Sequence, residues 1–154
     1  MTPDSPWLTD EQQRTWRRWL AVNDQLPAAL HRELQADSDL SLQDFDVLVK
    51  LTDDAEGRVR VSELARTMHW ERSRLSHHLG RMEKRGLIER VECATDSRGA
   101  EVVLTADGAR IFRNATAPHA RAIKQHFADA LSPAQFDALD DILRTIATHL
   151  EATR

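Results

Sequence analysis

Apolar residues recur along this chain mostly at helical spacing. Trp16, Trp19, Leu20, Leu26, Leu30 and Leu34 trace one stripe, and Ile111, Ile123, Phe127 and Leu131 a second. Phe136, Leu139, Ile142, Ile146 and Leu150 form a third, and Leu75, Leu79 and Met82 a shorter one at i, i+4 and i+7. The punctuation agrees with these stripes. Thr9 with Gln12, Ser41 with Asp44, and Ser132-Pro133 with Gln135 are capping-box-like starts. Ser62 and Thr105 are further N-caps, and Gly86 after Glu83-Lys84-Arg85 is a C-terminal stop. Together they predict helices near 9–36, 42–54, 62–69, 71–85, 105–130 and 133–152. Pro27 and Pro118 fall inside two of these, where each removes an N–H and should kink or break the helix. The apolar stripes continue on both sides, so both helices are retained.

Between the fourth and fifth helices the period changes from helical to alternating. Residues 87–93 (LIERVEC) and 100–104 (AEVVL) are rich in β-branched residues, and turn formers lie between them, which predicts a hairpin. A short extended piece at 58–61 (RVRV) offers a third strand. The expected architecture is mainly α with a small β-hairpin wing. Two short helices, the second stopping at a glycine and running into a hairpin, describe a winged helix-turn-helix.

Charge sharpens this picture. The chain of 154 residues has a formal net charge of −4, which by itself argues against a polyanion partner. The distribution reverses that argument. Residues 1–61 balance to −5, residues 62–98 to +2 and residues 99–154 to −1. Within 72–90 stand Arg72, Arg74, Arg81, Lys84, Arg85 and Arg90 against only Glu83 and Glu89, and local potential steers a polyanion more than the total does. On a helical wheel Leu75, Leu79 and Met82 face a core. Ser73, His77, Gly80 and Lys84 point nearly opposite, with Arg74 and Arg81 to one side. Arginine can donate two hydrogen bonds to guanine O6 and N7, and serine and histidine reach base edges or phosphates. Gly80 leaves a bare backbone patch on that face, at roughly 1 kcal/mol of helix propensity relative to alanine. At the hairpin tip Arg98 can enter a narrow minor groove, with Asp96 holding its guanidinium.

These residues carry a resemblance. SELARTMHWERSRLSHHLGRMEKRGLIERVECATDSRG followed by VVLTADG is similar to the MarR family of winged-helix transcriptional regulators, over about residues 40–110. SRLSHHLGRMEKRGLI stands where that family has its recognition helix, and DSRG matches its D-x-R-G wing motif. The resemblance implies one MarR-like domain over 1–154, with a DNA-binding lobe at 42–104 and a helical dimerisation region at 9–36 and 105–152. It makes Ser73, Arg74, Ser76, His77 and Arg81 candidates for contact with double-stranded DNA, and Asp96 and Arg98 the wing pair. It implies an obligate homodimer and, in many members, a repressor released by a small aromatic or anionic effector. Trp16 and Trp19, with Phe45, are the pocket candidates for such an effector.

Other chemistries have less behind them. No Gly-rich phosphate loop, nucleophile elbow or HExxH is present, so no enzyme is expected; Asp53-Asp54 and Asp140-Asp141 read as a helix end and a solvated face. The histidines His31, His69, His77, His78, His119, His126 and His149 include no i, i+4 pair with a glutamate, and adjacent His77 and His78 point about 100° apart on a helix. No metal or other cofactor is expected; His77 is assigned to DNA and the rest to packing or surface. Cys93, the lone cysteine, reads as a structural strand residue, since Glu92 disfavours its thiolate. A single cysteine, no secretory signal and no apolar run of membrane-spanning length fit a cytoplasmic protein with no membrane partner. Two alternatives to a ligand-responsive regulator remain open: a winged-helix module that binds an acidic protein, and a constitutive DNA-binding protein with no effector site.

Overall fold

The structure is a computed structural model that describes residues 6–92 and 99–153. The chain forms two compact units, one from the residues up to Leu30 together with those from Ala120 onward, the other from His31–His119. Helices α1 (Asp10–Ser38) and α5 (Ala106–His126) contribute to both.

In the His31–His119 unit, α2 (Leu42–Asp53), strand β1 (Arg58–Arg60), α3 (Val61–Thr67), α4 (Arg72–Lys84), β2 (Ile88–Glu92) and β3 (Ala100–Leu104) follow in order. The three strands make one antiparallel sheet in the order β1-β3-β2, so the short RVRV segment does add a third strand. Val102 is the shared centre of the register, opposite Val59 on one side and Arg90 on the other. The core lies beneath it: Leu34, Leu40, Leu48, Leu51, Leu64, Leu75, Leu79, Met82, Leu87, Ile88 and Val102 are all essentially inaccessible. The α4 stripe read from the sequence is therefore the face that this helix buries.

The caps explain most helix ends. Ser41 and Asp44 bond reciprocally at the start of α2, and Thr9 and Gln12 do the same before α1. Thr105 Oγ1 accepts from the Gly108 N–H at 2.9 Å. Gly86, with φ of 73°, closes α4 by the bonds Leu87 N–H to Met82 O and Gly86 N–H to Glu83 O. The same pattern closes α3, with Trp70 N–H bonded to Ala65 O and His69 N–H to Arg66 O. There the left-handed position is His69, φ 54°, where a glycine would be expected.

Two expectations are corrected. Helix α3 starts at Val61 without Ser62 as its cap. Arg60 still pairs with Glu101 in the sheet and stands at the N-cap with no side-chain bond, so strand runs straight into helix. The helix expected over 105–130 ends at His126. Phe127 leaves helical geometry (φ −124°, ψ −62°), and a separate 3₁₀ turn covers Ala128–Ala130. Pro27 and Pro118 both lie inside continuous helices, as the apolar stripes on either side implied; each costs one hydrogen bond within a long ladder that the rest of the helix keeps.

The other unit is helical. It takes the N-terminal two-thirds of α1, the end of α5, the 3₁₀ turn and α6 (Pro133–Ala152), which opens with the Ser132–Gln135 capping box. Phe127 and Phe136 meet edge to face at 6.0 Å. Its apolar stripes are left substantially in the open: Trp16, Trp19, Leu20, Val22, Phe136, Ile142, Ile146 and Leu150 are all exposed. Among the described residues, no helix is long and apolar enough to cross a membrane.

Candidate nucleic-acid interface

Helix α4 is held by its inner face and presents its outer one. Leu75, Leu79 and Met82 lock it into the core, while Ser73, Arg74, Ser76, His77 and Arg81 are all exposed. These five candidates do lie on one helix of the winged unit. Gly80 is half-buried between them. A Cβ built on it would meet only Arg90 Nη2 at 3.9 Å, so the backbone there is open to close approach.

Tertiary pairing divides the basic cluster into two groups. Arg90 is bound by Glu83 through Nε at 2.9 Å and Nη2 at 2.7 Å, and its backbone N–H donates to the same carboxylate. These bonds from Arg90 hold Glu83 below the usual carboxylate range. Arg85 reaches back to α2, donating to Asp44 Oδ2 at 2.8 Å and to the Asp39 carbonyl. Both cations are already engaged by carboxylates. Arg74 and Arg81 have no carboxylate partner among the described residues. The Arg74 guanidinium lies 4.4 Å over the Trp70 ring, and Arg81 Nη2 stands 3.0 Å from His78 Nδ1. Both are thus positioned without a carboxylate and keep their charge for an outside partner.

The sequence reading missed the group beneath them. Asp44 is 3% exposed and lies at the start of α2. Its carboxylate accepts the Ser41 N–H and Arg85 Nη1, and Oδ1 stands 3.0 Å from His78 Nε2. That contact is close without meeting hydrogen-bond geometry. Burial alone would raise the Asp44 pKa. His78, the Ser41 N–H, Arg85 and the Ser41 hydroxyl together outweigh it and hold the carboxyl far below its ordinary range. Ser41 with Asp44 was legible as a capping box. That the same carboxylate also ties down the end of α4 was not, because Arg85 is 41 residues away in the chain.

The remaining candidates are placed as follows. Asp96 and Arg98, and with them Cys93, lie outside the described residues, between β2 and β3. Trp16 and Trp19 are exposed in the helical unit. Phe45 belongs to the other unit and fills its core, its ring 5.0 Å from that of Phe112 and 4.4 Å from that of His119. It is a core residue here because its ring is the filler between α2 and α5. His119 is buried beside it, which pushes its pKa down against the opposing pull of Asp46; burial pushes the Asp46 carboxyl up. His31 caps differently from any metal ligand, accepting the Leu42 N–H at Nδ1. Among the described residues no three His, Cys, Asp or Glu side chains come together as a metal site would.

Comparison with known proteins fits this geometry. A model of the MarR family matches residues 38–99, the span from the end of α1 to the hairpin. AbsC, a MarR family transcriptional regulator from Streptomyces coelicolor, is 38% identical, with 96% of this chain and 99% of that chain covered and a TM-score of 0.86. Sco3205, a MarR family regulator from the same organism solved in complex with DNA, is 36% identical over 97% of this chain and 93% of its own, with a TM-score of 0.87. A mutant of MarR from E. coli, complexed with operator DNA, shares the fold at a TM-score of 0.79 and 24% identity, covering 91% and 98% of the two chains. Among curated proteins, none matches the sequence. A winged unit whose basic helix faces outward, and a likeness to AbsC and Sco3205 along almost the whole chain, lead to one conclusion: this chain belongs to the MarR family of transcriptional regulators.

Proposed function

We propose that the protein is a cytoplasmic, homodimeric repressor that binds a pseudo-palindromic operator and releases it on binding a small aromatic or anionic effector. Each subunit lays α4 in the major groove of one half-site, about one helical turn from the other. The observation that carries the DNA-binding reading is the outer face of α4. It offers Ser73, Arg74, Ser76, His77 and Arg81, and neither arginine is spent on a carboxylate among the described residues. Sco3205, with DNA bound and the same fold, supports that docking. The wing residues Asp96 and Arg98 would add a minor-groove contact. Dimerisation is supported by the apolar surface of the helical unit, since a monomer leaving Trp16, Trp19, Ile142, Ile146 and Leu150 in water carries a patch that soluble monomers avoid.

Selection of bound duplexes from a random pool, at near-physiological salt, tests this reading. Wild type enriches a two-fold-symmetric motif. Arg74→Ala and Arg81→Ala each lower affinity for it by about 1–3 kcal/mol and blur the base preference, as loss of a bidentate base contact does. Arg98→Ala weakens binding through the wing without changing the half-site motif. Wild-type affinity in all three variants would overturn the docking. A flat pool would favour a module that binds an acidic protein, and titration of salt against a defined duplex separates the two: each phosphate neutralised steepens the fall of log K by about 0.9.

Ending the chain at residue 132 removes α6 and its exposed apolar stripe. The truncated protein is expected to sediment as a monomer or aggregate. A well-behaved dimer would remove α6 from the dimerisation region.

A further inference from the structure

His78 stands out among the side chains of α4. It is 7% exposed on a helix whose other polar side chains face water, and it lies between a buried carboxylate and an exposed arginine. Arg81 Nη2 is 3.0 Å from its Nδ1, and Asp44 Oδ1 is 3.0 Å from its Nε2. The bonding chemistry dictates the tautomer. A guanidinium only donates, so Nδ1 must carry the lone pair, and the ring proton of neutral His78 is left on Nε2, toward Asp44. The Trp70 ring meets the imidazole edge-on at 5.4 Å and fixes its plane. These groups line one cleft of about 390 Å³ between the start of α2 and α4.

We infer that His78 is a positioning residue for DNA recognition: through the lone pair on its Nδ1 it holds the Arg81 guanidinium in place. The inference rests on the DNA-binding reading, in which Arg81 meets the operator. A held guanidinium gives up less side-chain freedom when it docks than one that samples every rotamer. It also keeps four of its five N–H donors for the DNA. The charged groups around the ring are Asp44 from α2, Arg81 on α4 and Arg85 just beyond it, and Arg85 is itself engaged by Asp44 and Asp39. Arg74 lies on the Trp70 face.

The test measures the ratio of affinities for the selected operator and a scrambled duplex, at constant pH and ionic strength. His78→Gln can accept from Arg81 with Oε1 and donate toward Asp44 with Nε2, so it should keep the wild-type ratio within about twofold. A folded His78→Leu protein should lose about tenfold of the discrimination, the size of one good arginine–base contact, and fall to the level of Arg81→Ala. A folded His78→Leu protein that discriminates as well as wild type overturns the inference, and so does a His78→Gln protein that falls as far as His78→Leu. If wild type selects no operator at all, the DNA-binding reading fails first and the role of His78 falls with it.

Discussion

Gly108→Ala will lower the stability of the fold by about 3 kcal/mol or more, while Gly80→Ala, the same chemical change, will raise it by about 0.5–1 kcal/mol. Gly108 is in the first turn of α5, against the point where the chain leaves Gly86 for β2. A Cβ built there would overlap the Leu87 carbonyl oxygen outright, and would lie 2.9 Å from its carbon and 3.1 Å from Leu104 Cδ1. A side chain could turn aside, but a backbone carbonyl cannot. Moving it would also break its bonds from the Thr105 N–H and hydroxyl, the latter at 3.0 Å. At Gly80 the new methyl meets only the end of Arg90, and alanine is the better helix former. For a chain of this length the Gly108 variant should melt about 6–12 °C lower. The Gly80 variant should melt higher, yet bind operator less tightly if α4 docks as proposed, because the methyl intrudes on its outer face. A Gly108→Ala protein that melts with wild type would mean that the α5 start can shift away from Leu87 at little cost.

Asp44→Ala will cost about 2–4 kcal/mol. The carboxylate is buried, caps α2 through the Ser41 N–H, and binds Arg85 at 2.8 Å. Removing it strands the Ser41 N–H and takes from Arg85 its nearest carboxylate. The lower half of that range is expected, because the Arg85 side chain is 39% exposed and can turn to water. The pH dependence separates the charge from the packing. The folded-state pKa of Asp44 is depressed, so its contribution is complete above the unfolded carboxylate value of about 3.9 and is lost as pH falls through the folded value. Denaturant unfolding of wild type and Asp44→Asn should therefore differ most near neutrality and converge in strong acid. His119 adds a second loss at milder acidity. Its pKa is lowered by burial, so protonation begins to cost stability once pH drops below the ordinary histidine value of about 6.5. Asp46, raised by burial, works the other way and favours the protonated fold. A gap between wild type and Asp44→Asn that stays constant with pH would show that the loss is one of packing, not of charge.

Much of the architecture was legible along the chain. Helices, strands and their order follow from where apolar residues recur and where Ser41, Ser132 and Gly86 punctuate them, because these are interactions among residues three or four positions apart. The outward set on α4 follows in the same way, since burying Leu75, Leu79 and Met82 leaves Ser73, Arg74, His77 and Arg81 on the far side. Boundaries were less legible where neighbours in space took over. Pairing of Arg60 with Glu101 moved the start of α3, and the Met68–Trp70 turn was made with a histidine where sequence rules ask for glycine. Gly108 gave no sign of its importance, since a lone glycine in a helical pattern reads only as a weak position.

The sequence by itself determined which residues α4 turns outward, because the helical repeat is a property of the backbone and needs no partner. Only the tertiary structure decided which of the basic residues are free. Arg85 and Arg90 count as positive in the sequence but are bound by Asp44 and Glu83, whereas Arg74 and Arg81 rest on Trp70 and His78. Charge is carried by the residue, but its availability depends on what folding brings within about 3 Å of it, and Coulombic pairing takes no account of distance along the chain.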